Sequence, residues 1–199
     1  MGKYLYFIYA TLLFSTQYVA AQTPACLGEQ GKVQWYYYEN ISGSGLSSLY
    51  AAHSFPLSPN GFVELAKLQS PSNYNDNYGA LTKGFIKAPL TGKYVFNMTG
   101  NQECTFFLST TSNPSDTTKI ARVPDFTNST EHTKYAEQTS DTLELVAGQY
   151  YYLSGTTKKA LVLTFQGYIG KHLIRLQALL GKLFLMSIFL ATPVLRLVL

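Results

Sequence analysis

The sequence predicts an all-β protein, an antiparallel β-sandwich or barrel with a loop-rich N-terminal arm. Three observations predict this class: apolar residues alternate along short segments, turn signals separate those segments at regular spacing, and helical signals are scarce. The chain contains 16 tyrosines and 12 phenylalanines, and aromatic residues are enriched in strands. A body of about 140 residues is sufficient for one hydrophobic core, so we expect one domain.

The first element is an export signal, residues 1–21. Lys3 precedes an apolar run, and three small residues, Val-Ala-Ala at 19–21, form a cleavage site. The sequence therefore predicts a secreted protein that is extracellular or bound at the cell surface. The exported chain would begin with a short N-terminal arm, residues 22–30.

The exported chain contains two cysteines, Cys26 in the arm and Cys104 in the body. An even number of cysteines in an exported chain permits one disulfide. Such a bond would tie the arm to a strand end and stabilise the fold by roughly 2–4 kcal/mol. The alternative, two unpaired thiols, fits the sequence equally well.

The body begins with an aromatic-rich strand at residues 33–39, which ends before a Ser-Gly-Ser-Gly break. Residues 46–74 contain many turn signals and one short helix or turn at 46–51. Two strands follow at 81–88 and 92–99, joined by a Pro-x-x-Gly turn whose glycine we expect in the left-handed conformation. Further strands are predicted at residues 105–109, 118–123, 142–146 and 150–155.

The strand at residues 92–99 has the clearest alternation. The side chains of Tyr94, Phe96 and Met98 fall on one face, and Lys93 begins the other face. We therefore expect the two aromatic rings and the methionine to be buried and the lysine to face solvent.

The whole chain has a net charge of +4, but its body is nearly neutral, since residues 22–159 contain 10 basic and 11 acidic side chains. Without a basic patch, the domain is not expected to bind nucleic acid. The histidines, His53, His132 and His172, lack the spacing of a zinc site, and the sequence contains no recognisable nucleophile motif. We identify no catalytic residues and predict a protein that is not an enzyme.

The order of several motifs resembles that of a known family. Between Gly31 and Lys159 the chain contains, in this order, NYGALTKGFIKAPLTGKYVF, FFLST, KIARVP, KYAEQTS and LELVAGQYYYL. In order and spacing these blocks resemble the protective-antigen fourteen-kilodalton domain family, whose members occur in bacterial toxins, glycosidases, yeast flocculins and secreted adhesins. The resemblance implies a glycan-binding β domain at residues 31–160, although one fold hosts several roles.

The resemblance also implies a position for the binding site. In the family, two adjacent aspartates after the strand at 92–99 hold a calcium ion that binds sugar hydroxyls. The matching residues here are Asn101 and Gln102, so two formal charges are missing, and Glu103 stands one position further. Asn101 and Glu103 could still supply oxygen ligands to Ca²⁺. These three residues are the candidate ligand-binding residues, and a solvated turn without metal is the alternative.

Two other groups have weaker claims to ligand binding. The Trp-Tyr-Tyr-Tyr run at residues 35–38 could stack on sugar rings, but alternate positions of such a strand are more often core. Asn75, Asp76 and Asn77 carry three oxygen-bearing side chains in a row. In the family this segment is a structural turn, in which short polar side chains cap their own backbone.

Residues 161–199 form a tail that differs from the body. It contains no acidic residue, and its apolar run at 183–195 is shorter than the ~20 residues that span a bilayer, so no firm transmembrane anchor is predicted. One interpretation is a membrane-seeking C-terminus. We favour a frame shift near Ala160, because a shifted reading of the next codons resembles the family's last strand. A tail of that origin would not contribute to the stability of the domain.

The sequence therefore predicts a non-catalytic carbohydrate-binding or adhesion module whose partner is a glycan or cell-surface polysaccharide. A different class, a structural or protein-binding module that has lost calcium-dependent glycan binding, is the alternative. An accessory domain of a glycoside hydrolase comes third. Modules of this kind are usually joined to other domains, so this chain could be the front of a longer parent protein.

Overall fold

The structure, a computed structural model, describes residues 31–169 and 172–176. The predicted signal peptide, the N-terminal arm with Cys26, and residues 177–199 of the predicted tail lie outside the described residues. Two antiparallel sheets pack as a sandwich, so the predicted all-β class is confirmed.

Ten strands and one short α-helix follow one another along the described chain. In order they are β1 (Val33–Glu39), α1 (Leu46–Tyr50), β2 (Gly61–Leu65), β3 (Tyr78–Lys87), β4 (Gly92–Asn101), β5 (Cys104–Ser109), β6 (Thr117–Val123), β7 (Leu143–Leu145), β8 (Tyr150–Thr157), β9 (Ala160–Ile169) and β10 (His172–Leu176).

One sheet has six strands in the order β2-β1-β3-β8-β5-β6, and the other has four in the order β10-β9-β4-β7. Every pairing between these strands is antiparallel.

The main core lies between the two sheets and uses the alternation predicted for β4. Tyr94, Phe96 and Met98 are at most 2% exposed, while Lys93 is exposed. The ring of Phe96 lies 5.8 Å from the ring of Phe106, which belongs to β5 in the other sheet. The predicted register of β4 is therefore confirmed.

The aromatic run of β1 is divided between the two faces of its sheet. Trp35 and Tyr38 are fully buried, and Tyr36 and Tyr37 are half-buried. Trp35 and Tyr37 pack together at 5.5 Å between ring centroids, whereas Tyr38 packs on the other face against Phe55 at 5.2 Å. These rings are therefore largely core, and they do not form one flat surface for stacking.

Two expectations about the turns and the N-terminal half are wrong. Gly92 does not adopt the left-handed conformation, because it already belongs to β4 and pairs with Leu145. The Pro-x-x-Gly turn joins strands of different sheets, since β3 lies in the larger sheet and β4 in the smaller one. In the segment predicted to be loop-rich, Gly61–Leu65 forms the edge strand β2 against β1.

The backbone of β9 begins at Ala160, one residue before the predicted tail. It pairs with β4 from Asn101↔Ala160 to Lys93↔Tyr168, so β9 lies between β4 and β10. The frame-shift interpretation stays a prediction, and the reading frame of the gene around codon 160 is its test.

A single substitution in β4 tests the register of the core. Phe96→Ala is expected to lower the free energy of unfolding by ~3–5 kcal/mol, because a buried aromatic ring is removed. Lys93→Ala, the control on the opposite face, should change it by less than ~0.5 kcal/mol. Urea denaturation measures both values, and an equally damaging lysine substitution would show that the register is displaced by one residue.

Truncation tests the contribution of β9. A chain that ends at residue 160 is expected to melt at least ~5 °C below a chain that ends at residue 176, because β4 loses a neighbouring strand and exposes an edge. This expectation is the reverse of the one that the frame-shift interpretation implies. Equal melting temperatures in a thermal scan of the two chains would favour the frame-shift interpretation, in which the tail does not stabilise the domain.

Candidate functional site

A polar cleft lies at the end of the sandwich where β4 ends and β9 begins. Its volume is about 530 Å³. Four segments line it: the loop before β3, the last residues of β4, the loop at 126–129, and the turn between β8 and β9. The cleft is therefore built from parts of the chain that are far apart in sequence.

Side chains that can hydrogen-bond neutral polar groups dominate the lining. Asn101 reaches the cleft from the end of β4, opposite Ala160 in the register with β9. The other amides belong to Asn73, Asn75 and Asn128, and the aliphatic hydroxyl groups belong to Ser72, Thr99, Thr127 and Ser129. Amides and hydroxyls supply both donors and acceptors, so the cleft can match the hydroxyl groups of a polar ligand.

Asp76 and Lys159 form an ion pair in the cleft. The ammonium nitrogen of Lys159 lies 2.8 Å from Oδ1 of Asp76. The hydrogen bond from Lys159 and its positive charge hold the pKa of the Asp76 carboxyl group below its usual value. The Asp76 carboxyl group is therefore ionised at neutral pH.

Three aromatic side chains complete the lining: Tyr74, Phe126 and the buried Tyr78. Tyr74 is rigidly held, because its hydroxyl donates a 2.7 Å hydrogen bond to Glu39 and its ring packs edge-on against Trp35. Burial and the Glu39 carboxylate raise the pKa of Tyr74. Phe126 is 40% exposed, and the Lys134 ammonium lies 5.4 Å from its ring centroid, so a ligand would contact this ring beside Lys134.

Backbone contacts hold the loops around the cleft. The loop at 126–129 is attached to β4, because Thr127 Oγ1 accepts a 2.8 Å hydrogen bond from the Gly100 amide and the Thr127 amide donates to the Gly100 carbonyl.

The turn between β8 and β9 is held by Lys158. Lys158 is 1% exposed, and its ammonium donates to the carbonyl groups of Ile41 and Tyr78 at 2.6 and 3.2 Å. Burial lowers the pKa of Lys158.

A comparison with family models decides the relationship of the chain. The model of the PA14 domain matches residues 28–154, which is more than half of the chain. The chain belongs to the PA14 domain family. The resemblance inferred from the motifs is therefore confirmed.

Solved structures with a similar fold are distant in sequence. The PA14 domain of the antifreeze protein MpAFP is 12% identical, with a TM-score of 0.53 over 80% of this chain and 95% of that one. The A domain of epithelial adhesin 6 from Candida glabrata is 15% identical, with a TM-score of 0.50 over 75% of this chain and 85% of the adhesin domain.

A third structure, an anti-sigma factor domain-containing protein from Clostridium clariflavum, is 16% identical with a TM-score of 0.49. The match covers 82% of this chain and 52% of the length of that protein. No curated protein matches the chain in sequence. At these identities the structural matches show a shared fold.

The structure separates the three predicted site residues of this PA14 domain. Asn101 lines the cleft, whereas Gln102 and Glu103 are absent from its lining. Gln102 has a φ of +93°, which turns the chain between β4 and β5. Its Oε1 atom is buried without a hydrogen-bond partner among the described residues.

The Glu103 carboxylate has structural partners. One oxygen accepts hydrogen bonds from Arg122 at 2.7 and 3.2 Å, and the other accepts one from the Leu46 amide at the start of α1. This contact raises the pKa of the Arg122 guanidinium group. Among the described residues, no group of three acidic, histidine or cysteine side chains could hold a metal ion. Both Glu103 oxygens are therefore engaged with Arg122 and α1, and Asn101 and Glu103 as joint calcium ligands stay a prediction.

Sequence reasoning missed most of the cleft. It identified the segment with Asn75 and Asp76 but interpreted it as a turn, and Asn75 Oδ1 does accept a hydrogen bond from the Asp76 amide. The interpretation left out the Asp76 carboxylate, which faces Lys159. The exposed ring of Phe126 and the ammonium of Lys159 have no local sequence signal that marks them as binding residues.

Cys104, the second residue of the predicted disulfide, is fully buried at the start of β5. Burial raises the pKa of its thiol to about 12, so the thiol is unreactive at neutral pH. Its predicted partner, Cys26, lies outside the described residues, and the disulfide stays a prediction. Among the described residues no helix is long and apolar enough to cross a membrane.

The contacts of Glu103 lead to a stability prediction. Glu103→Ala is expected to lower the free energy of unfolding by ~1–3 kcal/mol, because Arg122 and the Leu46 amide lose a charged partner. Glu144→Ala, at an exposed position of β7, is the control and should have little effect.

Calcium should not change the melting temperature of the unaltered protein, and a clear rise with calcium would restore Glu103 as a candidate ligand.

Proposed function

We propose that this PA14 domain binds a glycan in the polar cleft and acts as a non-catalytic carbohydrate-binding or adhesion module, secreted or held at the cell surface. The observation that carries the proposal is the lining of the cleft, which combines four asparagine amides with the partly exposed ring of Phe126. The export signal at residues 1–21 supports a location outside the cell.

The lining fits the chemistry of a sugar. A pyranose ring has hydroxyl groups around its edge and an apolar face of C–H groups, so it binds where hydrogen-bonding side chains lie beside an aromatic ring. Tyr74 forms a rigid wall, and the asparagines supply the donors and acceptors. A volume of about 530 Å³ is within the range of small-ligand sites.

The charges of the cleft support binding without catalysis. Glycoside hydrolysis normally requires two carboxyl groups about 5–10 Å apart. Among the described residues that line the cleft, Asp76 is the one that carries a carboxyl group, and it is paired with Lys159.

A distant structural relative supports the ligand class. The A domain of epithelial adhesin 6 from Candida glabrata was solved in complex with the disaccharide Galβ1-3GlcNAc. The shared fold supports a glycan as the ligand class of this chain.

One observation favours the alternative class, a protein-binding module. The edge strand β2 exposes Phe62 and Val63, which are 57% and 43% accessible. Exposed apolar side chains on a free sheet edge are a common feature of protein contacts. The test of the main proposal therefore includes a variant on this strand.

Binding to a glycan array, followed by calorimetry with the best ligand, tests the proposal. Phe126→Ala is expected to weaken binding by about tenfold, since a stacking surface is removed. Phe62→Ala, an exposed phenylalanine outside the cleft, is the matched control and should bind as the unaltered protein does. An array without any ligand, or equal loss in both variants, would contradict glycan binding in this cleft.

A further inference from the structure

The Asp76–Lys159 pair is the charged feature of the cleft, and its hydrogen-bonding capacity is only partly used. The side chain of Asp76 is 89% exposed and that of Lys159 is 27% exposed. Within the described part of the chain, Oδ2 of Asp76 has no hydrogen-bond partner, and Asp76 is the one hydrogen-bond partner of the Lys159 ammonium. The pair therefore retains acceptor sites on the carboxylate and two ammonium protons for a ligand.

Both side chains extend from backbone that is already held in place. The Asp76 amide donates to Asn75 Oδ1 at 2.7 Å, and the Lys159 amide donates to Thr157 Oγ1 at 3.2 Å. The neighbouring Lys158 is fixed by its buried ammonium. Because the pair exists before a ligand arrives, less conformational freedom is lost on binding.

We propose that the Asp76–Lys159 pair recognises two adjacent hydroxyl groups of a neutral sugar, without a metal ion. One hydroxyl donates a hydrogen bond to the Asp76 carboxylate, and its neighbour accepts one from the Lys159 ammonium. Hydrogen bonds to charged groups are stronger than those between neutral groups. This inference rests on the proposed glycan binding and adds the class of sugar and the residues that select it.

The balance of charge selects a neutral ligand. The carboxylate of an anionic sugar would be repelled by Asp76, and the amine of a cationic sugar would be repelled by Lys159. The hydroxyl groups of a neutral sugar can satisfy both members of the pair without separating them. Asn101, across from Ala160, is placed in the same cleft to bind a further hydroxyl group.

The oxygen atoms that line the cleft are better suited to the Lys159 ammonium group than to a bound divalent cation. Calcium takes six to eight oxygen ligands, and carboxylates are prominent among them. The single carboxylate among the described lining residues is already paired with Lys159, so a calcium ion would have to displace the ammonium group. Lys159 therefore supplies the positive charge of this site.

Calorimetry with methyl glycosides of mannose, galactose and glucose tests the inference, with their deoxy analogues and methyl glucuronoside for comparison. Lys159→Met and Asp76→Asn should each weaken binding of the best neutral glycoside by at least about tenfold. Lys159→Arg should retain more affinity than Lys159→Met, because it keeps the charge. Lys93→Met, at the far end of β4, is the matched control and should stay within about twofold. Chelation of calcium should not change the affinity.

The outcomes separate this inference from the proposed function. Three results would overturn the role of the pair while glycan binding stands: unchanged affinity in Lys159→Met, loss of affinity on chelation of calcium, or tighter binding of the glucuronoside than of the neutral glycosides. A deoxy analogue that lacks one of the two hydroxyl groups should bind the unaltered protein much more weakly than the parent glycoside does. In Asp76→Asn or Lys159→Met, which have already lost the matching contact, the same analogue and the parent glycoside should bind with similar affinity. If the unaltered protein binds neither these glycosides nor any glycan of the array, both proposals fail.

Discussion

Contact between the two sheets, centred on Phe96 and Phe106, is the constraint on which the rest of the structure depends. Each sheet buries one face against the other, so the alternation of β4 decides which of its side chains can be polar. Tyr94, Phe96 and Met98 fill the interior, and the polar Asn97 lies between two of them on the opposite face, where its side chain hydrogen-bonds His132 and Thr139. With the strands fixed in this way, the connections at the ends of the sandwich are where binding side chains can be placed without disturbing the core.

Asn101 and Glu103 lie close together in sequence at one end of the sandwich but have different roles. Asn101 remains in the cleft, while Glu103, two residues further, binds Arg122 and the start of α1. An acidic residue close to the site that the family resemblance indicates is therefore used to join structural elements. The charges of the cleft come instead from Asp76 and Lys159, in the loop before β3 and the turn before β9.

The predictable parts of the fold are those with local signals. The strand β1 has the predicted bounds, and β4 has the predicted buried face, because aromatic alternation and flanking turns are visible in a short window. The edge strand β2 was missed because Phe62 and Val63 are exposed and its pairing depends on β1, a distant segment. The cleft was missed for the same reason, since Asp76 and Lys159 are 83 residues apart. Their meeting is a consequence of the completed fold.

The turn between β8 and β9 places two consecutive lysines in opposite environments. The ammonium of Lys158 enters the interior and is solvated by carbonyl groups of Ile41 and Tyr78, whereas that of Lys159 faces the cleft. Loss or gain of one residue in this turn would exchange the two directions and send the wrong side chain inward. Evolution can therefore alter the chemistry of position 159 by substitution far more easily than it can alter the length of the turn.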